Sequence, residues 1–171
     1  MANTYYLIEA KNLTSAASSI TFSAIPGTYT DLKLVCSVKS AYTGGPYDYW
    51  QGNFNGVTTG YTTRQINAYY NTTVTSGSGT SFGWGAMNGS GSGSTASTFT
   101  NTEVYIPNYA GSNYKSYSAD NVTENNGQYH ELDMYAGLWS NTAAITSIYL
   151  NAQNGNFVAD SSFYLYGIKN S

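Results

Sequence analysis

Acid–base or nucleophilic chemistry in this chain would have to be drawn from one histidine, one cysteine and nine carboxylates. His130 follows the turn Asn125-Asn126-Gly127-Gln128 and sits beside Glu131. A Ser-His-Asp or Cys-His arrangement would have to be built around that single imidazole. No nucleophile motif lies near it, which points to a surface histidine. Cys36 alternates with Leu34 and Val38 and is expected in the core, where a thiol packs as a small hydrophobe rather than as a nucleophile. A lone cysteine also excludes an intramolecular disulfide and a cysteine zinc site. Glu131 and Asp133 are two apart on an expected strand, hence about 7 Å apart on one face. Paired carboxylates can hydrolyse glycosides. The interleaved Leu132 and Met134 claim the inward face, however, so both carboxylates are expected in solvent. Asp120, Asp133 and Asp160 could contribute to a calcium site with loop carbonyls, but no Asp-rich loop accompanies them. The glycine-rich segment NGSGSGS at 88–94 lacks the lysine and the strand-to-helix setting of a phosphate loop. Four N-glycosylation patterns, at Asn12, Asn71, Asn88 and Asn121, are expected by chance in a chain this rich in Asn, Ser and Thr. These side chains therefore predict no catalytic residue, no metal and no cofactor.

The aromatics are better placed for recognition. Tyr42, Tyr47, Tyr49, Trp50, Tyr69, Tyr70 and Trp84 fall in or beside loops of the first half. Aromatic faces among amides suit a sugar, whose C–H faces stack while its hydroxyls bond the amides. They equally suit a protein interface, where Tyr and Trp are enriched and charge is depleted. Plain core filling is the third role.

Charge narrows the classes further. Lys and Arg number 6 and Asp and Glu 9, for a net charge of -3, and charged residues are only 9% of the chain. Six scattered cations are too few to displace counterions from nucleic acid. Eighteen tyrosines and a 41% hydrophobic content argue against disorder, and no apolar run is long enough to span a membrane. The first residues, from Met1 to Tyr5, lack the features of a secretory leader, so assembly in the cytoplasm is expected.

The elements that must position these residues are strands. Tyr, Thr, Val, Ile and Phe dominate, and the strong helix formers are scarce. Strict alternation marks 31–39, 131–139, 146–151 and 162–168. Weaker patterns at 5–10, 19–22, 47–54, 64–70, 81–87, 98–106 and 116–124 bring the candidates to about eleven. Asn55-Gly56 is a hairpin signal. The small-residue stretches 76–79 and 88–94 predict mobile surface loops, and 138–145 has room for one helical turn. Short strands with uneven loops predict an all-β fold, an antiparallel β-sandwich of jelly-roll-like kind with about 8–11 strands, in one domain over 1–171.

Several stretches together carry a family likeness: ANTYYLI at 2–8, ITFSAIPGTYTDL at 20–32, FNG at 54–56, IPNY at 106–109, KSYS at 115–118, AGLWS at 136–140 and GNF at 155–157. Over nearly its whole length the chain resembles small virion structural proteins of tailed phages, abundant in phages of aquatic bacteria including cyanophages. The resemblance implies a non-enzymatic role on the particle surface. The protein would be a capsid decoration or cement protein, or a head fibre, bound to the major capsid protein or another virion protein. A homotrimer is expected, because such sandwiches commonly assemble about symmetry axes. The alternative is a receptor- or glycan-binding module of a head or tail fibre, with a host-surface glycan as partner. Neither nucleic acid nor membrane is expected as a partner.

Overall fold

The computed structural model describes residues 4–69, 73–80, 83–85, 87–127 and 130–169. Twelve strands form two antiparallel sheets, and no helix occurs among the described residues. The strands are β1 (Tyr5–Asn12), β2 (Ser19–Phe22), β3 (Asp31–Val38), β4 (Tyr47–Phe54), β5 (Tyr61–Tyr69), β6 (Thr73–Gly79), β7 (Met87–Ser90), β8 (Thr100–Pro107), β9 (Lys115–Thr123), β10 (Glu131–Trp139), β11 (Ile148–Ala152) and β12 (Ser162–Ile168).

The smaller sheet runs β2-β11-β4-β7 and the larger β1-β12-β3-β8-β9-β10-β5-β6. Eight strands, in the orders β1-β12-β3-β8 and β2-β11-β4-β7, make the two facing sheets of a jelly roll, with the chain crossing between them. Two inserted strand pairs complete the molecule. Strands β5 and β6 leave from β4, strands β9 and β10 follow β8, and all four extend the larger sheet past the jelly roll.

In the jelly roll, alternation and burial agree. Leu32, Leu34, Cys36 and Val38 of β3 are buried, as are Phe163 and Leu165 of β12 and Ile148 and Leu150 of β11. Cys36 is inaccessible, and burial pushes its thiol far above the ordinary range. An aromatic cluster ties the extension to the smaller sheet. Phe54 meets Trp84, Trp139, Tyr117 and Tyr61 with ring centroids 5.4–5.9 Å apart. Two strand glycines make room for these rings. A Cβ at Gly52 would stand 2.2 Å from the Trp84 ring, and one at Gly137 would stand 2.0 Å from Tyr117.

Buried polar side chains hold the loops. Asp48 accepts from Ser40 Oγ at 2.6 Å, from Asn154 Nδ2 at 2.8 Å and from the Gly155 amide at 3.0 Å. Lys115 donates to the carbonyls of Gly111, Asn113 and Thr142, and burial lowers its ammonium below the ordinary lysine value.

Four local expectations are corrected. Asn55 and Gly56 do form a left-handed turn, with φ of 54° and 69°. But β4 and β5 enter different sheets and do not pair, so the turn closes no hairpin. The Asn55 side chain instead clamps the 144–147 loop, donating to Ala144 O and accepting from the amides of Thr146 and Ser147. Neither small-residue stretch is a loose loop throughout. Residues 76–79 belong to β6, and Asn88, Gly89 and Ser90 are a buried edge of the smaller sheet. Glycine is needed there for close packing: a Cβ on Gly91 would lie 2.8 Å from the Gly45 carbonyl oxygen. The expected 81–87 strand is absent at 83–85, and Ser81, Phe82 and Ala86 lie outside the described residues. No helical turn forms in 138–145; Asn141 makes a side-chain turn with the Ala143 amide instead.

The largest correction concerns β10. Its boundaries are those the alternation predicts, but its faces are reversed. Asp133, Tyr135 and Trp139 point inward, whereas Leu132 and Met134 are 48% and 56% exposed.

Candidate functional site

The reversal of β10 builds both notable surfaces of the molecule. Inward positions recur every second residue along a strand. On the extension they collect Asn121 and Thr123 from β9, Glu131, Asp133 and Tyr135 from β10, and Gln65, Asn67 and Tyr69 from β5. Strand β6 adds Thr75 and Gly77. Facing them are Tyr49 of β4 and Asn88 of β7, and between lies a cleft of about 620 Å3.

Asp133 is the floor of this region and has no exposed surface. A carboxylate so buried must be hydrogen-bonded. Asn67 Nδ2 donates to its Oδ1 and Asn121 Nδ2 to its Oδ2 at 2.9 Å. Asn121 is held in turn by Thr102 Oγ1, which donates to its Oδ1 at 2.6 Å, and by the Asn88 carbonyl, which accepts at 2.9 Å. Thr100 and Thr123 hydroxyls lie 3.0 Å apart beside it, and the Ser90 amide donates to Thr100. The polar layer thus sews edge strand β7 onto β8 and β9.

Glu131 is half-buried above Asp133 and accepts from Asn67 Nδ2 at 3.2 Å. Burial, the hydrogen bond to Asp133 and the charge of Asp133 push its carboxyl up to about 8. At neutral pH it therefore carries a proton and donates to Asp133. Burial also raises the phenols of Tyr49 and Tyr135. The two carboxyls touch through one proton, whereas a glycosidase pair stands about 5–10 Å apart with its bond between them. Asp133, enclosed and saturated by amides, offers nothing to a substrate. The arrangement is suited to holding a polar ligand.

The predicted aromatics divide. Tyr49 and Tyr69 line the cleft. Tyr47 packs edge-to-face on Tyr49 at 5.6 Å and borders a smaller depression with Tyr69, His130 and Glu131. Tyr42 is half-buried in the neighbouring loop, where its carbonyl accepts from Ser92, and is not in the cleft wall. Trp50 and Trp84 are corrected to core residues: they are 2% and 0% exposed and pack edge-to-face at 6.4 Å. Tyr70 lies outside the described residues. The expectation that Glu131 and Asp133 are solvated is overturned. Gln65, Asn67 and Tyr135 belong to no motif in the sequence, and Asn121 enters there only as a chance glycosylation pattern. Their one signal was parity, since Tyr135 and Trp139 share the face of the two carboxylates. Asp120 and Asp160 are exposed and do not meet Asp133; Asp120 is on the opposite face of the sheet. Among the described residues no three His, Cys, Asp or Glu side chains gather as metal ligands.

The outer face of the extension is apolar. Val122, Leu132, Ala68 and Val74 form one row across β9, β10, β5 and β6. Met134 and Ile66 form the centre of the next, flanked by Asp120 and Ser76. Val74 is 71% exposed and Ile66 54%. Comparison with protein-family models, curated proteins and solved structures found no match.

Proposed function

We propose that the chain is a non-enzymatic structural protein of a tailed-phage particle, a capsid decoration or cement protein that binds the major capsid protein and stabilises the shell, as a homotrimer. It would be assembled in the host cytoplasm and sit on the particle surface. The observation that carries this is the apolar outer face of β9, β10, β5 and β6. Contiguous exposed apolar surface on an ordered sheet is a mark of protein contact, and Arg64 and Asp120 are the only charges in these strands' outward positions among the described residues. Edge strand β6, with the sequence TVTSGSG, has neither the lysine nor the proline that usually blunts a free edge. The partner is taken to be the capsid protein because the resemblance to virion proteins extends over nearly the whole chain and because charge is depleted as at interface centres. Quantitative mass spectrometry of purified virions tests it: hundreds of copies per particle are expected, and a handful of copies would move the protein to the tail.

The second reading is a receptor- or glycan-binding module of a head or tail fibre. The observation favouring it is the cleft, in which tyrosines and amides surround a neutral carboxyl.

A further inference from the structure

We propose that the cleft between β4, β5, β6 and β10 binds an uncharged saccharide, with Tyr49 and Tyr69 packing on the sugar faces and Gln65 and Glu131 bonding its hydroxyls. This rests on the second reading above and is compatible with a decoration protein that also touches the host.

Four observations support it. The volume, about 620 Å3, falls within the usual range of small-ligand pockets, roughly 300–1,000 Å3. The cleft is open because its β6 wall is glycine at 77, where a side chain would close it; the nearest atoms to an added Cβ are those of Gln65, at 3.3 Å. The lining combines phenol rings with amides and a carboxyl, which is what a ring with an apolar face and a hydroxyl rim requires. The Gln65 side chain lines the cleft wall, where its amide can take a hydroxyl.

Charge decides between a neutral and a cationic ligand. The titratable groups facing Glu131 are Asp133 and Tyr135 on its own strand, His130 beside it, Tyr69 of β5, and Tyr47 and Tyr49 of β4. The buried Asp133 already disfavours a second negative charge. A neutral ligand that displaces cleft water withdraws Glu131 further from solvent and favours its protonated form. By linkage the ligand binds more tightly when Glu131 is protonated, about tenfold for each unit by which it lifts the carboxyl. A cation would do the reverse.

The test is an array of bacterial capsule and O-antigen oligosaccharides probed with the purified protein, followed by calorimetry on the best hit. Binding is expected, weaker at about pH 9.5 than at about pH 6, and independent of pH in Glu131→Gln. Tyr49→Ala should lower affinity tenfold or more. Gly77→Leu, which fills the cleft from the edge strand, should abolish binding, with thermal unfolding confirming that each variant is folded. If the wild type binds and the folded Gly77→Leu and Tyr49→Ala variants bind equally well, the cleft is not the site, although the glycan-binding reading survives. Binding that tightens as pH rises overturns the neutral-ligand assignment. If the wild type binds no glycan and no host cells, both fall.

Discussion

The two halves of the larger sheet obey opposite rules. In the jelly-roll half, β3 buries Leu32, Leu34, Cys36 and Val38 and turns Lys33 outward, where it pairs with Glu103 at 2.7 Å. In the extension, β10 buries Asp133 and turns Leu132 and Met134 outward. Both strands alternate strictly. Alternation sorts side chains into two sets but does not say which set faces the core. On β3 the apolar set stands against a set of Asp31, Lys33, Val35 and Ser37, and the choice is forced. On β10 the set Leu132, Met134, Ala136 and Leu138 is apolar throughout, but the other set carries two large aromatics, Tyr135 and Trp139, and the aromatics decide. Burying Tyr135 and Trp139 removes roughly 300–500 Å2 from water, an upper bound of about 8–12 kcal/mol. Exposing Leu132 and Met134 forgoes about 3–6 kcal/mol. The carboxylates that come inward with the rings are accommodated by Asn67 and Asn121.

The sharpest way to break this contrast is to make the same truncation on both strands. Leu34→Ala should cost about 2–5 kcal/mol in denaturant unfolding, whereas Leu132→Ala should stay within about 0.5 kcal/mol. Equal costs would mean that β10 does not bury its aromatic face. Next in size is Asn121→Ala, which leaves Asp133 buried with one amide fewer and should cost about 2–3 kcal/mol. Asp120→Ala, one residue away on the outer face, should be nearly silent.

The pH dependence of stability comes third. Glu131 holds its proton more tightly folded than unfolded between its ordinary 4.5 and about 8. The unfolded state therefore releases protons first, and stability falls as pH rises through that window and levels off above it. Thermal unfolding from about pH 5 to pH 9 should show Tm dropping by several degrees, and Glu131→Gln should flatten the curve. The smallest effect on the fold and the largest on assembly are expected from Met134→Asp. Its Tm should be unchanged, since the side chain is exposed, while its copy number on purified virions collapses if the apolar face is the docking surface.

Much of the fold was legible from local pattern. Strands β2, β4, β10 and β12 begin and end where alternation places them. The weak ones were missed for physical reasons. Strand β6 is Thr, Ser, Gly and one Val, with little β propensity. Strand β7, MNGS, reads as a turn, and its order comes from neighbours: the Asn88 carbonyl accepts from Asn121, and the Ser90 amide donates to Thr100. Of the candidate site, Tyr49 and Tyr69 were visible as loop-adjacent aromatics. Trp50 and Trp84 looked the same in sequence but fill the core, because only packing separates an aromatic that lines a cleft from one that lies beneath it.

The amino-acid sequence by itself determined that this protein is built from strands, that its few charges are scattered, and which residues share a face on each strand. Those properties follow from backbone propensity and a period of two, which are local. Tertiary structure alone decided which face of β10 is inside. With it came the buried Glu131–Asp133 pair, the cleft above it and the apolar surface behind it. That choice depends on Phe54 and Tyr61, which stand against Trp139, and on Tyr117, which packs on Phe54, and these contacts form only after β4 and β5 have packed with the sequence-distant β9 and β10.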